Sequence, residues 1–553
     1  MSNKEDRMVM TGLEDKTGDK KEIKSLTQDV ADDMVGNYVM APDPNVEKVS
    51  REFQILLSQN KLDAALSVLI NSPKTNLRHP MITFQLGYVL SLKNRLDEAQ
   101  DYLEKTLRVA PEMPGVIEVL IPILNKLEKT ERVDHLLKTT ILSKPGNSSL
   151  IITYADLLYS KQLLEIALTQ YKRALCINPN ELRAQANIAE TLAELQRNDE
   201  ALIYIDRAIS RNPHSQQLRL NKAFTLLLLK KYREGWQAYE ARLSQEIDEA
   251  PKRLINIPRW RHELLKDKTI LVCSEQGVGD EILFSAYVTK LARIAKHVII
   301  ETDPRLVPLF SRSFKNLEVH PYSRRISGTQ PIYNYHWLKE CKMYPDLFVD
   351  LASLPYFLKE THQQLLSTTP HLKGDINVTR VWEGRLKEMS GGKPILGLFW
   401  RSGLYTGARK HFYPTIHHWG PILTLKDVAF LSLQFDDDSH DILLAKQLFG
   451  ADILKPEGIN LRDDLDQTAS LCMALAGVIA PSTTTAHLSG SVGTKTIIMD
   501  RTTTWSPMIN DNQDAVMPSI RRISPPNVDD WKWNFEKARL VVKGWLKGSV
   551  ISK

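Results

Sequence analysis

A chain of 553 residues is too long for one hydrophobic core and implies three or four domains. Its apolar fraction of 42% and charged fraction of 25% are those of an ordinary globular protein, and 72 basic against 66 acidic residues leave a net charge of only +6. That balance argues against a nucleic-acid-binding protein, where clustered cations must offset many phosphates. No apolar run reaches the roughly 18 to 20 residues that a membrane helix needs, so no transmembrane segment is expected. The N-terminus also lacks the apolar core of a signal peptide. The four cysteines (Cys176, Cys273, Cys341, Cys472) are scattered, with neither a CxxC pair nor metal-ligand spacing. Together these features predict a cytoplasmic protein with free thiols.

Residues 1–45 are polar and poor in aromatics, and predict a flexible arm that buries too little apolar surface to offset chain entropy. A period follows over 46–245. Pro111, Pro145, Pro179 and Pro213 stand 34 residues apart, as do Ala65, Ala99, Val133, Ala167, Ala201 and Gly235. A third column, Leu69, Leu103, Leu137, Tyr171, Ile205 and Tyr239, is large and apolar throughout. The small residue lets paired helices approach, the large one fills the groove, and the proline stops the second helix. This pattern resembles the tetratricopeptide repeat, with about six units and two departures, Phe53 and Ile121, where glycine or alanine is usual. Such arrays imply a concave surface for a protein or peptide partner; a spacer or dimerisation element is the other reading.

From about residue 268 the pattern alternates strand and helix. KTILVCS, the turn EQGVGD, an amphipathic stretch and HVIIET form a βαβ unit, and PILGLFW, VAFLSLQ, ADILK, AGVIA and TKTIIM predict five more buried strands. Two Rossmann-like lobes, 246–380 and 381–553, are expected, closed by a C-terminal amphipathic helix. Ligands of such sheets sit at the carboxyl ends of the strands. Three segments fall there. Gln276, Gly277, Gly279 and Asp280 form a tight turn in which the aspartate either caps the next helix or faces the cleft. Arg401, with Lys410 nearby, offers positive charge to a diphosphate, or belongs to a solvated loop. Ser482, Thr483, Thr484 and Thr485, followed by His487, offer hydroxyls and backbone N–H groups at a helix start, or a simple threonine-rich cap. Asp436-Asp437-Asp438 is expected to be a solvated loop. The GxGxxG and GxxxxGK[ST] fingerprints are both missing, which sets aside a dehydrogenase or an NTPase.

EQGVGDEILFSAYV, SLP at 353–355, GLFWRSG, SLQ at 432–434, DDLDQTA at 463–469 and TAHLSGSVG at 485–493 occur in this order. That ordered set, behind the repeats and the junction YREGWQAYEARL, resembles the heptosyltransferase-like glycosyltransferases of family nine, which have the GT-B fold. The resemblance spans about residues 80 to 545. It implies a hexosyl- or heptosyl-type transferase that is inverting and metal-independent, with no cofactor beyond a nucleotide-diphosphate sugar as co-substrate. Asp280 would be the general base. Arg401, Lys410, Ser482, Thr483, Thr484, Thr485 and His487 would bind the donor diphosphate, and Asp466 and Trp505 its sugar or nucleoside. The acceptor would be a protein or a glycan recruited by the repeats. The family often has Asp-Thr where this chain has Ser482-Thr483, which leaves the donor open, and a non-catalytic scaffold with a degenerate module is the alternative.

Overall fold

A computed structural model describes residues 43–73, 78–275, 277–358, 369–403, 412–502 and 513–550. Most of the expected N-terminal arm therefore lies outside the described residues, and the first helix already begins at Pro44. The chain divides into two compact units between Ala184 and Gln185, inside one repeat helix and well before residue 245.

The first unit consists of helix pairs: α1 (Pro44–Ser58) with α2 (Leu62–Ile70), α3 (Pro80–Leu92) with α4 (Leu96–Val109), α5 (Val116–Lys126) with α6 (Thr130–Ser143), and α7 (Ser148–Ser160) with α8 (Leu164–Ile177). The 34-residue columns are its core: Ala65, Ala99, Val133 and Ala167 are buried, as are Leu69, Leu103, Leu137 and Tyr171. Phe53 and Ile121 are buried as well, so the departures from the small-residue column are absorbed by local packing. Where glycine is kept it is needed. A Cβ on Gly87 would lie 2.6 Å from Leu103 Cγ. Within each repeat the two helices are joined by one left-handed residue: Asn60, Asn94, Glu128 and Gln162 here, then Gln196 and Lys230, all with φ between 57° and 60°. None of the six is glycine, so this period escapes a search for glycine punctuation.

The second unit opens with α9 (Leu182–Glu194, shared at the division), α10 (Asn198–Arg211), α11 (Gln216–Leu228) and α12 (Tyr232–Tyr239). Leu220, Leu227, Trp236 and Tyr239 share one apolar core with Ile270, Ile282 and Phe284, so the last repeats of this unit are built onto its α/β portion. That portion holds three sheets. Strands β2 (Thr269–Cys273), β3 (His297–Thr302), β4 (Glu318–Pro321) and β7 (Leu347–Asp350) form a parallel sheet in the order β4-β3-β2-β7. Strands β8 (Ile395–Leu398), β9 (Ala429–Ser432), β10 (Ile453–Leu454), β11 (Gly477–Pro481), β12 (Thr496–Met499) and β13 (Ile520–Ile523) form a second parallel sheet in the order β10-β9-β8-β11-β12-β13. Counted from its own first strand, that order is 3-2-1-4-5-6, the doubly wound arrangement, and the first sheet follows it as 3-2-1-4. A small sheet, β1 (Lys252–Leu254), β6 (Gln330–Asn334) and β5 (Ser323–Ser327), accompanies the first.

Ile270, Leu271, Val272, Leu396, Leu398, Val478 and Ile479 are buried on successive positions, as parallel strands covered on both faces require. The covering helices include α13 (Val278–Ser285), α14 (Val307–Ser313), α15 (Ile376–Met389), α16 (Ser439–Phe449), α17 (Leu465–Met473), α18 (Thr484–Ser491) and the closing α19 (Trp531–Val550). In α19, Phe535 packs on Trp419 with ring centroids 4.9 Å apart. Helix 278–285 packs directly on helix 484–491, so the carboxyl ends of the two sheets meet. No described helix is long and apolar enough to cross a membrane.

Candidate functional site

The order of each large sheet reverses beside its first strand, and the crevice outside such a reversal is where open α/β sheets hold ligands. In the first sheet this point lies at the end of β2, where the chain turns into α13. Gly277 is the N-cap residue of α13, with φ −97° and ψ 160°. Asp280 is therefore not the N-cap residue itself but stands three residues past it, and is half-buried. Gln276 lies outside the described residues.

In the second sheet the corresponding point is flanked by the ends of β8 and β11. After β11, Thr483 stands at the cap of α18 in extended conformation, but its hydroxyl donates to Pro481 O at 3.3 Å and does not cap the helix. The start of α18 thus carries uncapped backbone N–H groups beside half-buried Ser482 and Thr484 and buried Thr485.

The two turns touch. A Cβ on Gly279 would stand 3.3 Å from Thr484 Oγ1 and 3.4 Å from His487 Nδ1, so these two chain segments, about 200 residues apart in sequence, are in van der Waals contact. A Cβ at 279 would require Thr484 Oγ1 to give by a few tenths of an ångström. His487 itself is buried, and its Nε2 lies 3.4 Å from Arg522 Nη2. The guanidinium has only donors, so Nε2 accepts and the imidazole proton belongs on Nδ1, beside Gly279. Burial first, and then the Arg522 charge, depress the His487 pKa to about 4 and keep the ring neutral near pH 7. Arg522 is fixed from behind by Asp500 at 3.1 Å and Asp514 at 3.4 Å. Asp514 also accepts from the backbone N–H groups of Val516 and Met517. Nothing in the sequence pattern pointed to this Asp500-Asp514-Arg522 support, because an arginine inside a strand suggests an exposed face.

The remaining candidates are placed apart from that contact. Arg401 Nε bonds Asp436 Oδ2 at 3.2 Å, its Nη2 donates to Asp437 O at 2.7 Å, and Nη1 pairs with Asp441. Trp400 Nε1 donates to the same Asp441 at 2.9 Å. The expectation of a solvated Asp436-Asp437-Asp438 loop is corrected accordingly: Asp436 is an ion-pair partner and Asp438 is buried, accepting from Ser432 Oγ at 2.5 Å and pairing with Lys455. Asp466 forms a two-pronged pair with Arg312 at 2.5 and 2.7 Å, tying α17 to α14. It also lines an open groove of about 420 Å³ with Pro304, Arg305 and Asp463, to which none of the Gly279, Thr484 or His487 atoms contribute. Lys410 and Trp505 lie outside the described residues.

Beneath the Gly277–Asp280 turn runs a buried charge lattice that sequence reasoning missed. Arg242 grips both oxygens of Glu275 at 3.0 and 2.6 Å and bonds Ser353 Oγ at 2.9 Å. Arg253 bonds Asp350 at 2.8 Å, the Tyr335 hydroxyl at 2.7 Å and Ser274 O at 2.8 Å. Arg259 shares Asp350 at 2.9 Å and reaches Glu240 at 2.7 Å. Glu301 lies 3.6 Å from Arg253, and burial pushes its pKa to about 8, so near neutral pH it carries a proton. Arg242, Arg253 and Arg259 are thus each paired with carboxyl groups of Glu240, Glu275 or Asp350. Glu281, next to Asp280, accepts from Ser274 Oγ at 2.7 Å, Thr302 Oγ1 at 2.6 Å and Asp303 N at 2.9 Å. Burial outweighs these bonds and raises its pKa to about 7. The signal that could have been read is the density of arginine between 242 and 259 just ahead of the first buried strand.

A model of the tetratricopeptide repeat matches residues 83–113 and 182–215, within the helix pairs described above. The helical array consists of tetratricopeptide repeats. The chain is also similar to Protein FlbA of Caulobacter vibrioides, with 31% identity over 291 residues; the match covers 51% of this chain and 47% of FlbA, so it spans about half the length of that relative. Among solved structures it resembles YrrB, a TPR protein with an unusual peptide-binding site (21% identity, 35% of this chain, 96% of that one, TM-score 0.28). It also resembles a tetratricopeptide repeat protein of Parabacteroides merdae (17% identity, 35% and 78% covered, TM-score 0.32). A third is MamA of Desulfovibrio magneticus (14% identity, 31% and 98% covered, TM-score 0.29).

Proposed function

We propose that the chain is a glycosyltransferase with a GT-B-like α/β module, in which Asp280 is the general base and the start of α18 binds the donor diphosphate. The observation that carries this reading is the contact of Gly279 with Thr484 and His487, which sets a carboxylate-bearing turn beside an uncapped helix start at the carboxyl ends of two doubly wound sheets. In the reaction the acceptor hydroxyl gives its proton to the Asp280 carboxylate as its oxygen bonds the anomeric carbon. The bond from that carbon to the diphosphate breaks, and its electron pair leaves with the nucleoside diphosphate. Backbone N–H groups of α18 stabilise the departing charge without a metal. The repeats would then present a protein or glycan acceptor, as such arrays do with extended partners.

The test is a panel of nucleotide sugars offered to the full chain with cell extract as acceptor source, reading nucleoside diphosphate release and thermal shift. Release and stabilisation with one donor are expected. A second reading, a repeat scaffold whose α/β module no longer turns over, draws on the pairing of Arg401 with Asp436 and Asp441, which leaves that cation engaged by protein carboxylates. Neither release nor stabilisation with any donor would favour it.

A further inference from the structure

A cluster of metal-ligating side chains sits away from the candidate active site, at the free edge of the first sheet. Glu318 and His320 are alternate residues of edge strand β4, so their side chains share one face. In the parallel register Ile299 pairs with Glu318, which puts His297, two residues before Ile299, on that same face. Cys341 enters from the segment that follows the 3-10 turn His336–Glu340. One ligand atom from each of Glu318, His320 and Cys341 lies within 4.8 Å of the others. Cys341 Sγ is 3.7 Å from His320 Nε2, and His320 Nε2 is 2.8 Å from Glu318 Oε1. The other carboxylate oxygen, Oε2, is 3.2 Å from His297 Nε2, and the Lys342 N–H donates to the same carboxylate. Trp337 stacks on the His320 ring with centroids 4.7 Å apart and planes 20° apart, fixing its orientation.

We propose that Cys341, His320 and Glu318 bind a zinc ion, with His297 positioning the Glu318 carboxylate and solvent completing the shell. The donor set decides the metal class. Thiolate and imidazole favour zinc over magnesium or calcium, which take oxygen ligands alone. The geometry is close to what zinc needs: bonds of about 2.3 Å to sulfur and about 2.0 to 2.2 Å to nitrogen and oxygen place tetrahedral ligand atoms roughly 3.3 to 3.7 Å apart. The sulfur–nitrogen distance already fits, and the histidine–carboxylate distance opens by a few tenths of an ångström. On binding, the Cys341 thiol loses its proton to solvent and the thiolate bonds the ion, with no change of oxidation state. The site would clip the Cys341 segment to the edge strand, covering N–H and C=O groups that β4 would otherwise expose.

The test uses the full chain, with zinc as the probe for content and cobalt(II) as its spectroscopic stand-in. After exhaustive dialysis one zinc per chain is expected, and cobalt should give a thiolate-to-metal charge-transfer band. Cys341→Ser and His320→Ala should each bring zinc to background and abolish the band. Cys176→Ser, which removes an exposed thiol elsewhere, should leave both intact. His297→Ala should retain the band but weaken zinc binding about tenfold or more. Circular dichroism of each variant separates lost ligation from lost folding, and the wild-type band stands as evidence even where a variant unfolds. No retained zinc and no cobalt band in the folded wild-type chain would overturn the proposal, as would a band that survives in Cys341→Ser.

Discussion

The repeat helices and the α/β region solve the same packing problem by different means. In the repeats, one small and one large apolar residue recur every 34 positions, and in the first unit each of these buried side chains lies in a local helix pair. In the α/β region the apolar core is supplemented by buried arginines whose partners come from distant segments: Arg242 with Glu275, Arg253 with Asp350, Arg522 with Asp500 and Asp514, Arg501 with Glu194. The lesson concerns tolerance. Periodic apolar packing loses stability in proportion to the volume removed, whereas a buried charge left alone costs more than its partner's removal would suggest.

The largest effect should follow from breaking one such pair. Arg242→Met leaves the buried Glu275 without its cation, with the Ala352 N–H as its remaining partner, and should cost about 3 to 5 kcal/mol in a denaturant melt of the α/β region. The double variant Arg242→Met/Glu275→Leu should recover a substantial part of that loss, because no unpaired charge remains. No recovery would mean that the lattice is held by shape and not by charge balance. In the repeats, Leu137→Ala should cost about 2 to 4 kcal/mol from a cavity in the α5–α6 pair, with the α/β melting signal unchanged.

A smaller effect is expected from pH, confined to the α/β region. His371 and His487 both have pKa values depressed to about 4 by burial, so the stability they contribute is present above the ordinary histidine value near 6.5 and is lost as pH falls through 4. Glu281 and Glu301 are raised by burial to about 7 and 8, so their contribution is present below the ordinary glutamate value and is lost as pH rises through those values. Thermal melts from pH 4 to 9 should therefore fall at both ends. Glu301→Gln should make the alkaline limb shallower, leaving the part due to Glu281, and leave the acid limb in place. The smallest effect belongs to the left-handed turns. Glu128→Gly should change stability by less than about 1 kcal/mol, because relief of the strained φ is offset by a freer unfolded chain.

The same contrast explains what could be read from the sequence. The repeats were legible because each unit repeats its own constraints, although the six left-handed turn residues were not, since asparagine, glutamate, glutamine and lysine share no turn signature. Strands β2, β3 and β8 to β12 were legible as short apolar runs. Strands β4 (EVHP), β5 (SRRIS) and β13 (IRRI) were not, because their polar residues serve at a sheet edge or, like Arg522, inside a buried ion pair, and β6 (QPIYN), central in the small sheet, buries only Ile332 and Tyr333. At the candidate site the Gly279–Asp280 turn and the Ser482–His487 loop were visible as motifs at strand ends. Their contact was not visible, nor was the arginine that sets the His487 tautomer, because both depend on which strands of the two sheets stand first and last.

The account turns on Asp280. The decisive measurement is nucleoside diphosphate release by Asp280→Asn beside the wild-type chain, with donor-induced thermal stabilisation followed on the same samples. Turnover should fall by roughly 10² to 10⁴ with stabilisation unchanged, as loss of a general base requires. Turnover equal to wild type, or a loss that comes entirely from abolished donor binding, would contradict it.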